Sequence, residues 1–161
     1  MIIEEITKKM IEYSNGNLHD INHFLKVLEF ARIIGKLENL SEQEMEILEI
    51  SAIVHDIACP LCRKKYGNTN GKLQEKEGEI LARKFLTKLQ INNELIERIV
   101  FLVAHHHTFS NIDGIDWQIL LEADFLVNAD ESNINKKAVQ SAKERLFRTK
   151  TGISLLETLY L

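Results

Sequence analysis

The chain has 161 residues, 45% of them hydrophobic, with 20 Lys and Arg against 24 Asp and Glu for a formal net charge of −4. That is enough for one domain with a real core, expected to span residues 1–161, and the charge carries no footprint of a general nucleic-acid binder. No apolar run reaches the roughly 20 residues of a membrane span, the start MIIEEITKKM lacks a leader pattern, and two cysteines make no disulfide framework, so a soluble, cytoplasmic protein without membrane partners is expected.

A single proline, seven glycines and no repeat leave most of the chain to helices. The first is expected over 2–14 and the second over 20–38, where Asp20 can cap the start. His23 lies on the stripe Val27, Phe30, Ile34 and faces inward, whereas His19 reads as surface or cap. The third helix, over 42–56, is the best marked. Ser41 with Glu44 forms a capping box, and Met45, Leu48, Ala52 and His55 follow on one face. His55 and Asp56 thus stand at the foot of an apolar stripe, where polar groups cost free energy unless paired.

The segment 57–73, with Pro60, Gly67, Asn68, Asn70 and Gly71, reads as the longest irregular stretch. It carries Arg63, Lys64, Lys65 and Lys72, and loops on a rigid helical scaffold are where binding groups tend to sit. Cys59 and Cys62 have C-x-x-C spacing, but there is no second pair for a structural zinc and no βαβ context for a redox motif. They read as a coincidental turn.

Further helices are expected over 74–89, 93–107, 115–128, 132–147 and 153–160. In 93–107 the apolar face of Leu95, Ile96, Ile99, Val100, Leu102 and Val103 has His106 near its centre, His107 beside it and His105 nearly opposite. In 115–128, Asp124 is one carboxylate on a side otherwise made by Trp117, Leu120, Leu121 and Val127, with Asn128 continuing it. The last segment, TGISLLETLYL, is amphipathic and reads as a helix packed back on the core or as a partner surface.

Four helices therefore bring His23, His55 with Asp56, His106 with His107, and Asp124 towards one interior. A solitary inward His or Asp is ordinarily a hydrogen-bonded core group. Several in one small helical domain would each need a buried partner, and a shared cation satisfies them together.

The order His23, then the dyad His55-Asp56 after an apolar helix, then Asp124 in EADFLVN, resembles the H...HD...D signature of the HD-domain metal-dependent phosphohydrolase superfamily over about residues 18 to 130. The resemblance implies an all-α fold, one compact helical domain of about 6–8 helices. It also implies a divalent cation (manganese, magnesium, iron, nickel or cobalt) held by His23, His55, Asp56 and Asp124. Such ligands suit first-row cations that make bound water acidic and neutralise a phosphoryl group. Asp56 then doubles as ligand and proton acceptor, and Lys26, one turn after His23, resembles a basic residue of the family that holds phosphate. Arg63, Lys64 and Lys72 are candidates for the same task, a solvated charge run being the alternative.

The stretch HDIACP lacks the acidic residue that follows the dyad in alarmone hydrolases and some nucleotidases, so that substrate assignment does not transfer. HHHTFSNIDG resembles the HHE element of cyclic-dinucleotide phosphodiesterases, but there is no GYP. Where that branch has a further ligand histidine, this chain offers QEKEG, in which Gln74 is a poor ligand and Glu75 or Glu77 could serve. His106 and His107 are therefore candidates for a second metal or a phosphate contact, His106 also for the general acid. The reading is a hydrolase of a small phosphorylated metabolite, with a nucleotide the leading guess. Its rivals are a non-catalytic nucleotide or metal sensor and a di-iron oxygenase on the same scaffold.

Overall fold

The computed structural model describes residues 3–161, and among them it is all-α: nine helices and no strand. They are α1 (Ile3–Tyr13), α2 (Leu18–Leu37), α3 (Glu42–Val54), α4 (Cys59–Tyr66), α5 (Gly71–Lys88), α6 (Asn93–His105), α7 (Ile115–Glu131), α8 (Lys136–Arg145) and α9 (Lys150–Tyr160). The expected start of the first helix at residue 2 lies outside the described residues.

Side-chain caps set most of the starts. The side chains of Asn17, Ser41, Asn70, Asn92, Asn135 and Thr149 each accept a hydrogen bond from a first-turn amide, which satisfies a donor that the helix itself cannot. Asn17, not Asp20, caps α2, so this helix begins before the expected position. The Ser41–Glu44 capping box forms in full.

The segment 57–73 is a correction. Residues 59–66 are helical, because Pro60 stands in the first turn, where its missing amide costs nothing and its fixed φ favours the helix. Gly67 then ends α4 at φ 73°, a left-handed conformation that favours glycine. What remains of the loop is short, and α5 starts at Gly71.

The core is centred on α7, twelve of whose side chains are buried, so this helix is enclosed rather than half-exposed. α2 packs along α3 and α7, and α6 along α5 and α3. Ile34, Leu48, Ile53, Leu102, Ile119 and Leu126 are among the fully buried side chains that these faces share. α9 folds back onto α7, α2 and α8 with Leu156 fully buried, and Tyr160 donates to the carbonyl of Leu126. Glu122, fully buried on α7, accepts from Thr149 Oγ1 at 2.8 Å and from Gln118 Nε2 at 2.7 Å. It thereby fastens the start of α9 to the core. No helix is long and apolar enough to cross a membrane among the described residues.

Candidate metal centre

The last carbonyls of an α-helix have no amide partner of their own. α3 ends at Val54, and His55 turns back so that Nδ1 donates to the carbonyl of Ala52 at 2.8 Å. α6 ends the same way, with His106 Nδ1 donating to the carbonyl of Val103 at 2.7 Å. A carbonyl can only accept, so each ring carries its proton on Nδ1 and presents a bare Nε2 to the interior. Both side chains are fully or almost fully buried.

His23 does this by another route. It lies in the body of α2, and its Nδ1 donates to Glu131 Oε2 at 2.8 Å. Its Nε2 faces His55 Nε2 at 3.3 Å, Asp124 Oδ1 at 3.1 Å and Asp56 Oδ2 at 3.2 Å. His55 Nε2 is 3.4 Å from both Asp56 Oδ2 and Asp124 Oδ1. Four expected residues thus come together as a ring of electron pairs with no proton of their own between them. Such a ring needs positive charge at its centre.

In the metal-free protein, protons supply it. Burial alone would lower the pKa of His23, but its bond to Asp124 and the charge of Asp56 overcome this and raise it to about 9. His55 is raised likewise, its burial outweighed by Asp56 and Asp124. Burial pushes the two carboxyls upward, yet the surrounding imidazoles hold Asp56 and Asp124 well below the ordinary carboxylate range. Imidazole and ionised carboxylate together are donors for borderline to hard divalent cations, so the residues fit the metal that the sequence pattern implies.

A second donor set adjoins the first and shares Asp56. Asp56 Oδ1 is 3.3 Å from His106 Nε2, and the donor atoms of Asp56, His106 and His107 lie within 4.8 Å of one another. Gln74 completes this set. Its Nε2 donates to the carbonyl of Thr69 at 2.6 Å, which aims Oε1 at His106 Nε2 (3.2 Å) and His107 Nε2 (3.0 Å). Only glycine fits at 71, because a Cβ there would stand 2.8 Å from His107 Cγ.

Glu75 and Glu77 are engaged elsewhere. Glu75 accepts from Thr108 Oγ1 at 3.0 Å, and Glu77 from Lys65 at 2.8 Å and Tyr66 at 2.6 Å. The acidic neighbours expected as ligands therefore give way to the amide between them and the turn. His105, as expected, points elsewhere and stacks on Phe101.

A cavity of about 160 Å³ opens onto both sets, lined by His23, Asp56, Asp124, His107, Gln74, Thr69, Asn128, Glu131, Cys59, His19, Asp20 and Arg63. His106 lies beneath Asp56 and is not part of its wall. Of the cations expected to hold phosphate, Arg63 lines the wall but is bound through both nitrogens to Asp20, at 2.8 and 2.6 Å. Lys26 Nζ is 2.9 Å from Glu131 Oε1. Lys64 and Lys72 are exposed and outside the wall. The wall carries four carboxylates (Asp20, Asp56, Asp124, Glu131) against the Arg63 guanidinium and the protonated His23, so negative charge predominates and an anion meets repulsion here until cations fill the donor sets.

Cys59 and Cys62 are free, buried thiols of α4. Burial and the nearby Asp56 push the Cys59 thiol far above its ordinary pKa, so it stays protonated. Glu131 and Asn128 were not among the expected site residues. Their signal was the spacing from Asp124, Asn128 four and Glu131 seven residues on and hence the same helix face.

Comparison with known proteins agrees with this geometry. The chain is similar in fold to a crystal structure of a predicted HD superfamily hydrolase from an uncultured Thermotogales bacterium, with TM-score 0.65 and 22% sequence identity over 97% of this chain and 82% of that one. No curated protein gives a significant match. The HD domain model matches residues 20–145, which takes in His23, the His55-Asp56 dyad and Asp124. The chain belongs to the HD domain family.

Proposed function

We propose that this protein is a metal-dependent hydrolase that cleaves a phosphoester or phosphoanhydride bond of a small phosphorylated metabolite. The observation that carries the reading is the ring of His23 Nε2, His55 Nε2, Asp56 Oδ2 and Asp124 Oδ1 within 3.1–3.4 Å, with each Nδ1 already spent on an outer partner. His23, His55, Asp56 and Asp124 would hold the cation. When bound there, a divalent cation makes water acidic enough to attack phosphorus and offsets phosphoryl charge.

The chain's own groups supply the rest. Asp56, held well below the usual carboxylate range by the imidazoles around it, is ionised and acts as a ligand shared by the two sets. His107 replaces His106 as the histidine that meets the substrate, because it lines the cavity and His106 does not. Burial and the neighbouring His106 push its pKa down to about 4, so at neutral pH it is a neutral imidazole whose Nε2 lies 3.0 Å from Gln74 Oε1, and it meets the substrate as an uncharged polar group of the wall. Asn128 and Thr69 add polar groups to the wall, and the cavity suits a phosphate group, with the organic part of the substrate left at its mouth.

The test is elemental analysis of the purified protein and of Asp56→Ala, together with a phosphate-release screen over nucleotides and sugar phosphates with added manganese. Metal near one per chain, lost in the variant along with phosphate release, supports the hydrolase. Two irons per chain, oxygen uptake and no phosphate release would assign the shared-carboxylate site to oxygen chemistry instead.

A further inference from the structure

The three histidines that converge on Asp56 are aimed in two different ways. His55 and His106 stand just past helix ends and take backbone carbonyls, so no side-chain substitution removes their anchors. His23 sits in the body of α2, where the carbonyls are already committed to helix amides. In this structure a side chain from another element holds its Nδ1.

Glu131 is that side chain. It is the last residue of α7, two turns after Asp124, and both face α2. Its Oε2 lies 2.8 Å from His23 Nδ1, and its Oε1 lies 2.9 Å from Lys26 Nζ, three residues after His23 on the same face of α2. The seam between α2 and α7 therefore reads Asp124, His23, Glu131, Lys26, alternating between the helices. One carboxylate grips a ligand ring with one oxygen and a cationic side chain with the other.

We propose that Glu131 is the positioning residue of this centre, fixing the ring plane and tautomer of His23 so that its Nε2 is always presented to the cation. The inference rests on the cation-binding reading above. An outer carboxylate on a ligand imidazole also makes that ring a stronger donor. Lys26 holds the carboxylate's other oxygen, which limits its rotation away from His23.

The experiment measures Mn²⁺ affinity by titration calorimetry on chelator-stripped wild type, Glu131→Ala, Glu131→Gln and Lys26→Met, with circular dichroism verifying the helical fold of each. Glu131→Ala should bind Mn²⁺ about 10- to 100-fold more weakly than wild type. Glu131→Gln restores an acceptor for Nδ1–H and should recover to within about 10-fold of wild type, the residue of the loss reflecting the missing charge. Lys26→Met, which removes only the other partner of Glu131, should stay within about three-fold. Equal affinity in Glu131→Ala and wild type, or no recovery in Glu131→Gln, would overturn the positioning role. Wild type that binds no Mn²⁺ would overturn the cation site itself, a different failure from an unchanged Glu131→Ala.

Discussion

Adding a divalent cation to the stripped protein ties α2, the turn after α3 and α7 together through His23, His55, Asp56 and Asp124. A ligand that binds only the folded chain at 100 times its Kd stabilises it by about 2.7 kcal/mol. For a domain of this length each kcal/mol moves Tm by roughly 2–4 °C, so saturation should raise Tm by about 5–11 °C. In the metal-free protein the competitor is the proton on His23, whose pKa is near 9, so the cation must displace it. Falling pH favours the protonated ring, and the Tm shift should therefore shrink between pH 8 and pH 6. Asp124→Asn removes the charge that lies 3.1 Å from His23 Nε2 and 3.4 Å from His55 Nε2, and its own metal-induced shift should fall close to zero. Thermal melts followed by circular dichroism, with chelator and with Mn²⁺, Fe²⁺, Co²⁺, Ni²⁺ or Mg²⁺, measure both. A wild-type Tm unmoved by every cation, or an equal shift in Asp124→Asn, would refute the reasoning.

The neutral Gln74 in the second donor set should make that set the weaker one, and Gln74→His should raise the metal bound per chain at saturation from about one towards two, read by elemental analysis after dialysis. An unchanged content would mean that Asp56, His106 and His107 do not act as a cation site. Glu122→Ala leaves the buried Thr149 hydroxyl and amide without their acceptor and takes one of the two acceptors of Gln118 Nε2, the Leu146 carbonyl remaining, a cost of about 3 kcal/mol and a Tm lower by roughly 6–12 °C. Burial holds the Glu122 carboxyl above its ordinary pKa, the bonds from Gln118 and Thr149 offsetting this only in part. Its contribution to stability is therefore largest below the unfolded value and is lost as pH rises through the folded one. Urea titrations of wild type against Glu122→Gln should show the gap between them moving against wild type from pH 4 to pH 7, and the opposite trend would contradict the burial argument.

Helical periodicity carried the first donor set. His23, His55 and Asp124 sit on apolar stripes whose phase survives small errors in the helix ends, and the structure brings all three to Asp56. What periodicity does not carry is anything set by an end or by a partner. Pro60 breaks a helix in its interior but begins one in its first turn, and the local sequence alone does not say which applies. The expected stop at 128 left Glu131 off the helix that presents it. Gln74 depends on the carbonyl of Thr69, a backbone group that has no letter of its own. The basic residues were visible as charges, but their pairings with Asp20 and Glu131 span 43 and 105 positions of the chain, and only the fold makes those neighbours.

The backbone anchoring of His55 and His106 bears on how such a chain can drift over generations. A ring steered by the carbonyl three residues before it inherits its aim from where the helix stops. Residues along α3 and α6 are then free to exchange among apolar side chains of similar volume without turning the donors. His23 has no such inheritance, because its steering resides in a second side chain more than one hundred positions away. Relatives that lose Glu131 must supply an acceptor from another position on the same seam, and the two sites should change together while the dyad's surroundings vary freely.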